Sequence, residues 1–141
     1  MFLRLVAIIM LMGLSGLWGP ATALGQSANL MEEELKLKIL EKELGSDHPD
    51  VATCLNNLAA LYKAMGNYAA AEPLYKRSLA IREKVLGPNH PYVATCLNNL
   101  ALLYQAMGNY AAAEPLFKRS QIVQAGSNIR VVRPQLFFQY F

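Results

Sequence analysis

The feature that most constrains the fold is a tandem repeat. Residues 44–78 and 86–120 align without a gap, and only six of the 35 aligned pairs differ. The period, which is the step from Leu44 to Leu86, lies in the range typical of solenoids, in which each unit buries its apolar face against its neighbours. The sequence therefore predicts an array of stacked units.

Each unit is predicted to contain two helices. The first begins at Pro49 or Pro91, because proline is tolerated where its missing N–H has no partner within the helix. We expect Asp47 and Asn89, two residues earlier, to cap these helices. An apolar stripe at helical spacing then follows in the first unit, formed by Leu55, Leu58, Tyr62 and Met65.

The second helix of each unit is predicted to follow a glycine. Gly66 and Gly108 are expected to end the first helix in the left-handed conformation, so that the second helix begins at the following asparagine. Pro73 lies inside this second helix, where it removes one backbone hydrogen bond. Small residues are expected where two helices approach closely, namely Ala59, Ala71 and Ser78. The sequence thus predicts an all-α solenoid of antiparallel helix pairs.

The repeated stretch LNNLAALYKAMGNYAAAEPLYKRSL resembles a tetratricopeptide repeat. The family's signature positions hold Leu58, Ala59, Tyr62, Gly66, Tyr68, Ala71, Tyr75 and Ser78. Leu55 replaces the bulky first aromatic residue, and Glu83 replaces the usual closing proline. The longer period, with HPDVAT before LNNLA, is similar to the kinesin-light-chain type of repeat. This resemblance covers residues 30–120. Together with the N-terminal residues 1–23, which have the order of an export signal, it suggests a bacterial protein.

The repeat boundaries predict five segments. We expect a signal peptide, a linker with a half-repeat helix, a first repeat, an incomplete second repeat and a divergent tail, at residues 1–23, 24–44, 45–86, 87–120 and 121–141. The tail shows no helical stripe, and Gly126 and Pro134 are expected to break any long helix. We interpret the chain as a truncated stretch of a longer array. The alternative is that the tail docks on the last hairpin as a cap.

The N-terminal residues have the order of an export signal. Arg4 precedes an apolar run, Leu5–Leu17, which is followed by Trp18-Gly19-Pro20, expected to break a helix, and by the small-residue pattern Ala21-Thr22-Ala23. The run is shorter than the about 20 residues that span a bilayer. We therefore predict a cleaved signal and a periplasmic or secreted protein without a stable membrane span. The alternatives are an uncleaved membrane anchor and a mis-assigned start codon.

Charge and motifs argue against several functions. The formal net charge is +3, and basic residues are interleaved with glutamates, so no basic face for nucleic acid is expected. His48 and His90 have no further ligands nearby in the sequence for a metal. Cys54 and Cys96 occupy equivalent positions on neighbouring helices, which rarely form a disulfide, so we expect two small, semi-buried residues; the alternative is a disulfide or a redox pair. No catalytic motif is present, and we predict neither an enzyme nor a cofactor.

Four asparagines lie in the middle of the first helices, where asparagine is unfavourable. Asn56, Asn57, Asn98 and Asn99 either bond neighbouring helices or face a ligand. The resemblance implies the second use, because the family's first helices line a concave groove that grips peptides. By position, this groove would contain Thr53, Asn56, Asn57, Ala60, Lys63 and Ala64, and Thr95, Asn98, Asn99, Leu102, Gln105 and Ala106.

The resemblance also implies roles within that groove. Asn57 and Asn99 match the family's asparagine that binds the ligand backbone. Lys63 could attract an acidic group, whereas its counterpart Gln105 cannot. We therefore predict a non-catalytic protein-interaction module that binds a peptide or partner protein. The alternatives are a structural or vestigial fragment and a regulatory arm of a larger protein, and the exposed ends of the solenoid could also self-associate.

Overall fold

A computed structural model describes the backbone of residues 18–136 and the side chains of residues 25–127. It contains five helices, which we number in chain order as α1 (Trp18–Leu44), α2 (Pro49–Ala64), α3 (Tyr68–Leu86), α4 (Pro91–Ala106) and α5 (Tyr110–Leu136). Each helix packs against the next, with α2/α3 and α4/α5 forming the two closest pairs. Residues 18–136 include no strand, and the predicted all-α solenoid of helix pairs is confirmed.

The caps of α2 and α4 are histidines. The imidazole Nδ1 of His48 accepts a hydrogen bond of 3.2 Å from the backbone N–H of Asp50, and His90 makes the equivalent bond to Tyr92. The prediction that Asp47 and Asn89 cap these helices is wrong. Because proline occupies the first helical position, the cap is the residue directly before it.

Asp47 instead pairs with a lysine of α3. Its carboxylate accepts a hydrogen bond from Lys84, and this bond lowers the pKa of Asp47 below its usual range. The pair ties the α1–α2 loop to the end of α3. In the second repeat the two positions hold Asn89 and Gly126, so this tie is absent there.

The turns between the paired helices follow the prediction. Gly66 and Gly108 have φ angles of +75° and +76°, in the left-handed region. The side chain of Asn67 then caps α3 by accepting a 3.2 Å hydrogen bond from the N–H of Ala70. Gly45 and Gly87, in the turns before α2 and α4, also have positive φ angles.

The core lies between consecutive helices. One cluster joins α2, α3 and α4 through the buried residues Ala59, Ala71, Tyr75, Leu100 and Leu103. A second joins α2 to α1 and α3, with Val51, Ala52, Leu55 and Ile81 buried. The small residues predicted at close approaches are buried, and Ser78 donates a 2.7 Å hydrogen bond to the backbone oxygen of Ala52. Met65 is 45% exposed, so the predicted stripe ends before it.

Both outer helices are longer than the sequence predicts. The helix α1 includes Trp18-Gly19-Pro20 in its first turn, where a proline removes an N–H that has no helical partner. The apolar run that this stretch was expected to interrupt lies outside the described residues. The helix α5 runs past Gly126 to Leu136 and includes Pro134. The expected break in the tail is therefore wrong, because one glycine costs a helix only about 1 kcal/mol.

The predicted signal peptide lies mostly outside the described residues, since residues 1–17 are not part of them. None of the helices in the described part of the chain combines the length and the apolar composition required to cross a bilayer.

Candidate functional site

The first helices of the two repeats present polar and small side chains to solvent. On α2, Thr53, Asn57, Ala60 and Ala64 recur at helical spacing and are exposed. On α4, the equivalent residues are Thr95, Asn99, Leu102 and Ala106, of which only Asn99 is partly buried. We call these eight residues the first-helix strip. It is a subset of the residues that the resemblance implies for a groove.

One hydrogen bond beside the first-helix strip joins α2 to α4. The Nδ2 of Asn99 donates to the Oδ1 of Asn56 at 2.9 Å, and both side chains are partly buried. This contact supports the first of the two uses predicted for the asparagines, since it links neighbouring repeats. It takes up the oxygen of Asn56 and one proton of Asn99.

The other two asparagines do not share this bond. Asn57 is exposed and Asn98 is half-buried, and neither side chain has a hydrogen-bond partner among residues 25–127. The reason is the offset of the bond, which joins position 56 of one unit to position 99, the counterpart of 57, in the next. Asn57 therefore has both its amide donors and its oxygen available to a ligand.

An arginine that the sequence analysis missed lies at the edge of the strip. The Nη2 of Arg82 donates a 3.0 Å hydrogen bond to the hydroxyl of Thr53, and its guanidinium carbon lies 4.9 Å from the centre of the Tyr92 ring. The hydroxyl of Thr53 in turn donates to the backbone oxygen of Pro49. Alignment of the repeats offers one signal, because Arg82 corresponds to Leu40 and Gln124 in the flanking units. Its contacts with Thr53 on α2 and Tyr92 on α4 depend on the tertiary structure and cannot be read from the sequence.

Two cations beside the strip, Arg82 and Lys63, lack a carboxylate partner in the described part of the chain, whereas Arg77 and Arg119 each pair with a glutamate. Lys63 lies in the last turn of α2, whereas Thr53, the partner of Arg82, lies ten residues earlier, in the N-terminal half of that helix. The two cations therefore lie beside opposite halves of α2. Gln105 is exposed and leaves the α4 end neutral.

Both cysteines are buried and carry free thiols. Cys54 and Cys96 are 1% and 2% exposed. The thiol of Cys54 donates to the carboxylate of Glu33 at 3.3 Å, and burial together with this carboxylate raises its pKa to about 11. A thiol with such a pKa is protonated and unreactive at neutral pH.

The histidines are used structurally, as the caps of α2 and α4. In residues 25–127, no three side chains of histidine, cysteine, aspartate or glutamate converge as metal ligands would. The polar groups of the first-helix strip and its edges are amides, hydroxyls and two cations.

Comparison with known proteins identifies the repeat. The family model described as tetratricopeptide repeat matches residues 37–84 and 55–121, which is more than half of the chain. The chain belongs to the tetratricopeptide-repeat family. Domains of this family are generally non-catalytic scaffolds for protein–protein interaction.

A solved structure has a similar fold. It is the crystal structure of BtubC (BKLC) from P. vanneervenii, which superposes with a TM-score of 0.50 at 21% sequence identity. The match covers 74% of this chain and 58% of that chain, so this tetratricopeptide-repeat protein spans little more than half the length of its structural neighbour. No curated protein matches the chain.

Proposed function

We propose that this chain is a non-catalytic interaction module that binds a segment of a partner protein along the first-helix strip. The observation that carries the proposal is the exposed amide of Asn57 between two cations, Arg82 and Lys63, that lack carboxylate partners in the described structure. An amide pairs with the backbone of a peptide of any sequence, because it offers both a donor and an acceptor.

The cations select for acidic groups in the ligand. Arg82 is held by Thr53 and by the ring of Tyr92, so its guanidinium is oriented before a ligand arrives. Such a guanidinium suits two-point pairing with a carboxylate. Lys63 provides a second, more flexible contact point near the other end of α2. The proposed ligand is therefore an extended peptide with an acidic residue, bound by its backbone at Asn57.

A peptide-display selection against the full chain tests this function. Selected peptides are expected to contain acidic residues, and their affinity, measured by fluorescence anisotropy, is expected to fall about tenfold in Asn57→Ala and in Arg82→Gln. Asn29→Ala and Lys38→Gln are matched controls, since both residues are exposed on α1, a helix that contributes no residue to the strip. If the control and strip variants lose affinity alike, or if no peptide is selected, the proposal fails and a purely structural role is favoured.

We also propose that the interaction takes place outside the cytoplasm. The proposal rests on the sequence alone: Arg4, the apolar run Leu5–Leu17 and the pattern Ala21-Thr22-Ala23. Expression of the full chain with a C-terminal tag, followed by N-terminal sequencing of the exported product, is expected to give a start at Leu24. Recovery of an intact N-terminus in the membrane fraction would instead indicate an uncleaved anchor.

A further inference from the structure

The C-terminal end of the solenoid carries an open depression. It has a volume of about 390 Å³ and lies between the end of α4 and the outer side of α5. Its lining includes four residues of α5, Tyr110, Glu114, Phe117 and Lys118, and we call these four the end face. Tyr110 is 66% exposed.

One repeat earlier, the equivalent surface is covered. Its residues are Tyr68, Glu72, Tyr75 and Lys76, which the repeat alignment pairs in the same order with those of the end face. The helix α4 packs on this surface, and Leu100 and Leu103 join Tyr75 in one buried cluster. Tyr75 is consequently only 3% exposed. The end face is thus a second copy of a surface that already binds a helix in this structure.

The covered surface also makes a specific polar contact. The hydroxyl of Tyr104 donates to the carboxylate of Glu72 at 2.7 Å, and Lys76 pairs with that carboxylate at 2.6 Å while lying 6.0 Å from the centre of the Tyr104 ring. The contact between α1 and α2 follows the same chemistry, since the hydroxyl of Tyr62 donates to Glu34 at 2.7 Å. A tyrosine of the incoming helix therefore meets a glutamate at both interfaces.

The end face contains the same glutamate–lysine pair that accepts the tyrosine hydroxyl one repeat earlier. Glu114 and Lys118 pair at 2.6 Å, as Glu72 and Lys76 do one repeat earlier. The side chain of Glu114 is 67% exposed, against 27% for Glu72, because no tyrosine covers it in the described structure. The acceptor Glu114 and its lysine, Lys118, are therefore present, whereas the described structure has no tyrosine equivalent to Tyr104 to donate to Glu114.

We propose that the end face is a docking site for an amphipathic helix of the α4 type, supplied by a partner. Such a helix presents two leucines and a tyrosine in the order of Leu100, Leu103 and Tyr104. The leucines fill the depression beside Phe117, and the tyrosine hydroxyl donates to Glu114 under Lys118. Docking continues the interface between α3 and α4 by one period of the solenoid. The site is separate from the first-helix strip, so the two proposals fail independently.

The test uses the full chain and a labelled synthetic peptide with the sequence of residues 88–107. We expect saturable binding by fluorescence anisotropy, at protein concentrations where sedimentation shows a monomer. The Glu114→Gln variant, or a peptide with Tyr104→Phe, is expected to weaken binding about tenfold, as for one hydrogen bond to a charged group. Combining the two changes is expected to cost no more than either alone, because both remove the same contact.

The matched control is Glu72→Gln, the same substitution at the equivalent position one repeat earlier, which is already covered by α4. It is expected to leave peptide affinity unchanged, and circular dichroism of each variant confirms that it is folded. Absence of saturable binding overturns the proposal, as does equal affinity of wild type and Glu114→Gln. A dimer that persists on dilution and excludes the peptide also overturns it, because the occupant would then be a second copy of the chain.

Discussion

Asn99 donates a 2.9 Å hydrogen bond to Asn56 and so joins the first helices of consecutive repeats. The bond connects two side chains of one residue type at neighbouring positions of the repeat. It leaves Asn57 on α2 and Asn98 on α4 without a hydrogen-bond partner among residues 25–127. In the repeated Asn-Asn pair, one asparagine of each unit therefore bonds the neighbouring repeat, and the other has no hydrogen-bond partner in the described structure.

Removal of this bond is expected to destabilise the protein. Asn56→Ala and Asn98→Ala alter equivalent helical positions, so any gain in helix propensity is the same in both. Only the first breaks a bond, and we expect its free energy of unfolding to be about 1 kcal/mol lower than that of the second. Urea denaturation followed by circular dichroism measures the difference. Equal stabilities would show that the Asn56–Asn99 bond contributes nothing.

Acid is expected to weaken the contact between α3 and α4. Hydrogen bonds from Lys76 and then Tyr104 lower the pKa of Glu72 below its usual value of 4.5. Because the folded pKa is below the unfolded one, the stabilisation is complete above pH 4.5 and is lost as the pH falls through the folded pKa. Tyr104→Phe should cost about 1 kcal/mol at neutral pH, and this cost should shrink in acid.

Thermal or urea unfolding at several pH values measures this effect. Tyr68→Phe is the control, because the Tyr68 hydroxyl has no hydrogen-bond partner among residues 25–127. A cost for Tyr104→Phe that stays constant from neutral pH to pH 3 would contradict the assigned role of Glu72.

Alkali is expected to act through Cys54. Its pKa is raised from 9.0 to about 11 on folding, so this thiol stabilises the fold fully below pH 9, and the effect is lost as the pH rises to about 11. Cys54→Ala should therefore show a shallower loss of stability over that range than wild type does, since tyrosine ionisation is common to both.

The thiols themselves provide a direct measurement. Ellman titration of air-purified protein is expected to show slow reaction of both thiols in the native state and rapid reaction of two thiols in denaturant, because both are buried and free. Denatured protein without reactive thiols would indicate a disulfide and contradict the structure.

Two glycine-to-alanine changes are expected to have opposite signs. Gly66 has a φ angle of +75°, which an alanine adopts only with strain, so Gly66→Ala should cost about 1 kcal/mol. Gly126 lies within α5, and a Cβ there would meet nothing within 4 Å. Gly126→Ala should raise stability by up to about 1 kcal/mol. Thermal melts of both variants test this, and a destabilised Gly126→Ala would argue against α5 continuing through this position.

The sequence predicted the elements that depend on local rules. Gly66 and Asn67 mark the turn and the cap of α3 because each acts within a few residues. Local reasoning failed at His48, where the position of the following proline, rather than the usual preference for aspartate, decides which residue is the cap. It also failed at Pro134, since a helix can absorb the loss of one hydrogen bond, as α3 does at Pro73.

The candidate site was predicted in part. The family resemblance implied Thr53, Asn57, Ala60 and Ala64, and the structure shows that these four residues are exposed on α2. The partner of Asn56 was not, because it depends on how far α4 is shifted relative to α2, and the repeat alignment contains no information on that offset. Arg82 was missed for the same reason, since its partners Thr53 and Tyr92 lie on two other helices.

The glycines with positive φ are Gly45, Gly66, Gly87 and Gly108, and they are evenly spaced along the chain. The three inner helices α2, α3 and α4, each with its turn, therefore make steps of equal length, although the two helices of a pair face different surroundings. Duplication of a single helix with its turn would preserve the spacing of the glycine turns. It would, however, put a second helix of a pair where a first helix, which carries the first-helix strip, is required. Only a duplication of a whole helix pair keeps the residues of the first-helix strip on equivalent helices, and the copies in this chain are two steps long.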